Sequence, residues 1–175
     1  KSTTAKHFAD YLALRGYRVL VVDCDSQGSL TGLYGWTPDV DLERDETLTG
    51  FLSPDGPHAS LIPIIRRTQW PTVDLVPANL DLQNVEYELI AEIRQPGGFA
   101  RATQRLRAGI NAVKHNNDVV IIDPPPSTGF IPFNALLAAN AIIIPLPARW
   151  LDFCATTQFL STFRSLLHVL GRSTE

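Results

Sequence analysis

Two short runs constrain this chain more than anything else in it. Residues 18–23 read Arg-Val-Leu-Val-Val-Asp and residues 118–123 read Asp-Val-Val-Ile-Ile-Asp. Each run is apolar on consecutive positions, rich in β-branched residues, and too short for a helix. Such a run suits a strand buried on both faces, as in a parallel sheet covered by helices. Stretches with helical spacing separate the runs. In residues 2–15 the apolar positions Ala5, Phe8, Ala9 and Leu12 fall on one face, and Gly16 stands where a helix stops. Leu82, Val85, Leu89 and Ile93 mark a helix over 80–93, Gln95-Pro-Gly-Gly98 breaks it, and 99–114 predicts another. Short strands are expected at 73–77 and 141–145, and helices at 133–139 and 153–170. Residues 37–60, with turn formers and the acids Asp39, Asp41, Glu43, Asp45 and Glu46, read as a surface excursion with one short helix at 47–52. Strands alternating with helices predict an α/β fold with right-handed crossovers.

At 175 residues the chain is expected to be a single domain with a sizeable core. Hydrophobic residues make up 45% and charged residues 19%, which excludes an intrinsically disordered chain. Fifteen basic against eighteen acidic residues leave −3, so no overall basic excess points to nucleic acid. Cys24 and Cys154 lack zinc-like spacing and read as free thiols in a reducing compartment. The most apolar stretch, 141–148, holds two prolines and is too short to cross a membrane. The absence of any methionine makes the chain look like an internal piece of a longer protein.

In a sheet of this kind ligands bind beyond the carboxyl ends of the strands. Both apolar runs end there in acid: Asp23-Cys24-Asp25 and Asp123-Pro124. A strand-end carboxylate can serve a hydrated Mg²⁺ beside phosphates, or simply cap a helix. The third element is Lys1-Ser2-Thr3-Thr4, opening a helix. In a phosphate-binding loop a lysine reaches the outer phosphates, the next hydroxyl meets Mg²⁺, and helix N-terminal amides face the anion. Lys-Ser alone says little; the order of the three features carries the signal.

That order resembles the ParA family of Walker-type ATPases, which segregate plasmids and chromosomes. Residues 1–4 match the end of the family's Gly-Lys-[Ser/Thr]-Thr-Thr motif, residues 21–29 its Asp-x-Asp-Pro-Gln-Gly-Asn motif, and residues 121–125 its Walker B region. Weaker blocks fall at 76–79 and 141–145. Residues 11–17 and 36–52 are most similar to the branch that serves large, low-copy plasmids. The resemblance implies a P-loop NTPase fold, a mostly parallel sheet sandwiched between helices, lacking here the strand before the phosphate loop and the C-terminal part. Ser26 departs from the usual proline, and the glycine-rich half of the loop is missing, so the piece alone is expected to bind ATP poorly.

The resemblance implies ATP and Mg²⁺ as ligands, with Lys1 neutralising phosphate charge, Ser2 on Mg²⁺, and Thr3 with its amide on the inner phosphates. It implies Asp25 orienting or deprotonating the attacking water, Asp123 holding Mg²⁺ through its water shell, and Asp23 shaping the loop or the metal's outer shell. Residues 124–129 resemble a switch loop. The implied partners are a second copy of the chain on ATP binding, a centromere-binding ParB-like protein and nonspecific DNA, with no membrane, in a bacterial cytoplasm at the nucleoid. Alternatives are a membrane-associated ATPase that positions the division site, a DNA-binding regulator with a vestigial site, and an iron–sulfur reductase, for which cluster cysteines after Asp123 are missing.

Other residues are read plainly. Arg94, Arg101, Arg105, Arg107 and Lys114 make a basic helix, taken as a solvated face in preference to a DNA contact. His7, His58, His115 and His168 show no ligand spacing, Cys24 reads as a small buried filler, and Trp36, Trp70 and Trp150 as buried or half-buried.

Overall fold

The computed structural model describes residues 1–146, 149, 150, 154, 156–158, 160, 161 and 164. Residues 1–142 form one compact unit and residues 143–175 a second. The first unit runs α1 (Ser2–Leu14), β1 (Val19–Asp23), α2 (Ser29–Leu33), α3 (Leu48–Leu52), β2 (Arg66–Arg67), β3 (Val73–Val76), α4 (Leu82–Ile93), α5 (Gly98–Val113), β4 (Val119–Asp123) and α6 (Phe130–Ala138). The sheet order is β2-β3-β1-β4. β1 pairs in parallel with β3 and β4, and β2 joins β3 antiparallel.

The apolar runs explain the layering. β1 is fully buried, and its side chains alternate between two cores. Leu20 and Val22 pack with Val76 and with residues of α3, α4, α5 and α6. Val19 and Val21 pack with Val73, Leu75, Ala9 of α1 and Leu30 of α2. The expected sandwich of helices around a mostly parallel sheet is therefore present. At the amino ends of β1 and β4 the Arg18 guanidinium clasps Asp118, with Nη2 2.9 Å from Oδ1, while the Arg18 backbone N–H donates to Oδ2 at 2.8 Å.

Three sequence expectations need correction. Residues 141–146 form no strand and are exposed, Ile143 to 65%. Apolarity reports a tendency to be buried and does not by itself specify a pairing partner. The helix expected at 133–139 starts at Phe130, because Pro132 is tolerated in a first turn. The stretch 37–60 lies only partly at the surface: its acids are exposed, but every residue of α3 is buried, with Thr47 as its side-chain cap. Most of the helix expected at 153–170 lies outside the described residues; residues 154, 156–158, 160, 161 and 164 are helical. Trp36 and Trp70 are half-buried as expected, whereas Trp150 is exposed.

Candidate functional site

The parallel register places Asp23 directly opposite Asp123 at the carboxyl ends of β1 and β4. The Cys24 N–H donates to the Asp123 carbonyl at 2.9 Å, carrying the ladder one residue further. Both aspartates are buried, but their surroundings differ.

Asp23 is fully engaged by the protein. Its Oδ2 accepts from the Thr31 backbone N–H and hydroxyl, both at 2.8 Å, and its Oδ1 from the Asp25 N–H at 3.1 Å. Burial pushes its carboxyl up to about 6; the hydrogen bonds from Thr31 and Asp25 oppose the rise, and the Asp123 charge adds to it. Thr31 in turn accepts the Ala78 N–H at 3.0 Å, tying the loop after β3 to the same point. Asp23 thus holds the shape of the 24–31 loop. Nothing in the sequence marks Thr31, a residue inside a five-residue helix without a motif of its own.

Asp123 is less satisfied. Burial raises its carboxyl; the Ser2 hydroxyl and the Lys1 ammonium lower it, and Asp25 raises it again. Its Oδ2 is buried and has no hydrogen-bond partner among the described residues. Ser2, Lys1 and Asp25 thus each bear on the Asp123 carboxyl. Thr3 is exposed in the first turn of α1. Lys1 makes no side-chain cap and that turn carries no acid, so its first amides keep the positive end of the helix available to an anion.

Asp25 is set by its loop. Its Oδ1 accepts the Gln27 N–H at 3.0 Å, and its carbonyl accepts the Gly28 N–H at 2.9 Å. Gly28 has φ +59°, and a Cβ there would lie 2.5 Å from Pro38 Cγ and 3.1 Å from the Ala78 carbonyl. No other residue fits this turn without moving the loop that carries Asp25. Cys24 is buried; burial first, then the charges of Asp23, Asp123 and Asp25, hold its thiol well above the ordinary range, so it is an inert filler as expected.

The donor set at Asp123, a carboxylate oxygen lacking a partner beside a serine hydroxyl, consists of hard oxygen ligands and suits Mg²⁺. No cluster of three or more His, Cys, Asp or Glu suited to a metal occurs among the described residues.

The basic helix largely keeps its expected solvated face: Arg94, Arg101, Arg107 and Lys114 are exposed, and only Arg105 is half-buried. Arg105 donates to both oxygens of Glu92 at 2.9 Å, and the exposed Arg101 donates from Nε to Oε1 at 3.1 Å. Among the described residues no helix is long and apolar enough to cross a membrane.

Residues 1–172 match the AAA domain family. The chain is 38% identical over 168 residues to a putative replication protein A of Rhizobium rhizogenes, covering 95% of this chain and 42% of that protein. It is 36% identical over 166 residues to the chromosome partitioning protein ParA of Caulobacter vibrioides, covering 93% of this chain and 57% of that one. Among solved structures, a cobyrinic acid a,c-diamide synthase of Mycobacterium smegmatis with bound ADP and magnesium superposes with a TM-score of 0.79 at 32% identity, over 96% of this chain and 63% of that chain. The chain thus spans roughly two-fifths to three-fifths of the lengths of these relatives.

Proposed function

The chain belongs to the AAA-domain family of ParA-type ATPases, and on that footing we propose that it is part of a partition ATPase that binds and hydrolyses ATP with Mg²⁺ to segregate low-copy plasmid or chromosomal DNA. We take residues 1–175 as one partial ATPase domain of that protein. The observation that carries the reading is Asp123 itself, opposite Asp23 at the carboxyl ends of β4 and β1: a buried carboxylate oxygen lacking a hydrogen-bond partner among the described residues, with Ser2, the Lys1 side chain and Asp25 near enough to act on the group.

Phosphoryl transfer asks a protein mainly for positioning and for cancellation of spread negative charge. Mg²⁺ held by Ser2 and Asp123 would supply part of that cancellation. Lys1 adds a mobile point charge at the mouth of α1, whose first-turn amides, with Thr3, receive the inner phosphates. Ser2 and Asp123 hold the metal side. Asp25, kept in place by Gln27 and Gly28, orients the attacking water and accepts its proton. Asp23, already saturated by Thr31 and Asp25, works by holding that loop. In the whole protein the bound nucleotide closes a dimer on nonspecific DNA at the nucleoid, and a ParB-like partner stimulates hydrolysis and release.

The test is phosphate release and nucleotide binding in the full-length protein. Asp25→Ala should retain ATP affinity within about threefold and lose hydrolysis by 10² or more, the usual weight of a positioned acid–base group. Lys1→Ala should lose both. Equal turnover in Asp25→Ala and wild type, or normal ATP affinity in Lys1→Ala, overturns the assignment.

A further inference from the structure

The loop that leaves Asp123 ends on an anchor that comes from elsewhere in the chain. Residues 124–129 connect β4 to α6, and the first amides of α6 are not capped locally: Gly129 has no side chain, and neither Ser127 nor Thr128 caps the helix. Instead Glu86, on α4, reaches across 44 residues. Its Oε2 accepts the Phe130 N–H at 2.8 Å and its Oε1 the Ile131 N–H at 2.9 Å. A Cβ on Gly129 would lie 2.5 Å from Oε1, so the glycine makes room for the carboxylate. A carboxylate is favoured at a helix N-terminus by the unpaired amides and the dipole together. α6 is tied a second time by Asn134, whose Nδ2 donates to the Ala102 carbonyl of α5 at 2.6 Å and whose Oδ1 accepts the Leu106 N–H at 3.3 Å.

Between Asp123 and this anchored helix stand Pro124, Pro125 and Pro126, then Ser127, Thr128 and Gly129. Three consecutive prolines have fixed φ and behave as a short stiff rod. A displacement of Asp123 is therefore absorbed by three residues, Ser127 to Gly129, before it meets Glu86.

We propose that Glu86 is a positioning residue: it pins the far end of a proline strut so that Asp123 is held in register for hydrolysis, and it is the point through which a change at Asp123 reaches α6. This rests on reading the Asp123 rim as the Mg²⁺–ATP corner.

The experiment compares wild type, Glu86→Ala and Glu86→Gln in the full-length protein, by amide hydrogen exchange without nucleotide and by steady-state ATP turnover. Without nucleotide, Glu86→Ala should speed exchange at Phe130 and Ile131 about tenfold, the weight of one lost cap, while β1 and α1 keep wild-type protection. Glu86→Gln, which keeps one acceptor oxygen, should fall between. In turnover, kcat should drop about tenfold in Glu86→Ala with KM for ATP within twofold, because Lys1 and Ser2 still bind nucleotide. Unchanged exchange at Phe130 and Ile131 overturns the anchor. Faster exchange there with unchanged kcat overturns the link to Asp123, and equal loosening of β1 and α1 shows that Glu86 serves general stability only. If wild type itself releases no phosphate, the ATPase reading fails, while the nucleotide-free exchange still decides the anchor.

Discussion

Glu92 offers the most direct test of how this fold is held on the side away from the nucleotide rim. Its side chain is 7% exposed and receives three hydrogen bonds from two arginines whose exposures differ, 22% for Arg105 and 49% for Arg101. The difference separates their contributions. A half-exposed pair is screened by solvent and contributes roughly 0–1 kcal/mol, so little is expected from Arg101. Arg105 engages both oxygens from its Nη2 and also donates from Nη1 to the Ser53 carbonyl at 3.2 Å. Loss of one partner of a fully buried pair costs about 3–5 kcal/mol. Since the Arg105 side is part-exposed, about 2 kcal/mol is the expected coupling, near a 30-fold change in the folding equilibrium. The assay is a double-mutant cycle on Glu92→Gln and Arg105→Met, read by urea unfolding with unchanged m-values, with a second cycle on Arg101→Met. In 1 M salt the Arg101 coupling should vanish and most of the Arg105 coupling should persist, because salt screens exposed charges far more than buried ones. A coupling for Arg105 below about 0.5 kcal/mol, or one smaller than that for Arg101, refutes reasoning from burial.

Two further outcomes follow from the site. The Asp23 carboxyl is raised to about 6 from 3.8, so between these values the folded protein binds more protons than the unfolded chain. Stability should therefore fall as pH rises from about 4 to about 6, by about 3 kcal/mol at this group, and stay reduced above it. Unfolding at pH 4.5 and pH 7, with a ¹³C carboxyl titration of Asp23, checks this, and a midpoint near 4 contradicts it. Gly28→Ala places a methyl against Pro38 at a positive φ; it should destabilise by about 2–3 kcal/mol and lower turnover more than ATP affinity, since the Asp25 loop must shift. Thermal unfolding and a KM-against-kcat comparison read both effects.

The legible parts of the sequence were those whose signal is local. The runs at 18–23 and 118–123 specify buried parallel strands because a consecutive β-branched stretch has few other fates, and their terminal acids fall at one rim because parallel pairing aligns carboxyl ends. Lys1 and Ser2 followed from their place at a helix start. What stayed hidden depends on partners distant in sequence. Thr31 latches Asp23 across eight residues, Glu86 caps α6 across 44, and Glu92 draws in Arg105, which by periodicity alone looks solvated. Residues 141–146 failed for the complementary reason: their composition fits a strand, but pairing is not a property of composition. α3 is buried although the stretch around it is polar, because Leu48, Phe51 and Leu52 outweigh the neighbouring acids once Thr47 satisfies its first turn.

The central position of β1 ties chemistry to architecture. Its odd members belong to one core, its even members to the other, and its last residue shapes the loop that carries Asp25. Losing or gaining a single amino acid within 19–23 would exchange the two sets and swing Asp23 to the wrong side. Length variation is therefore barred from this segment.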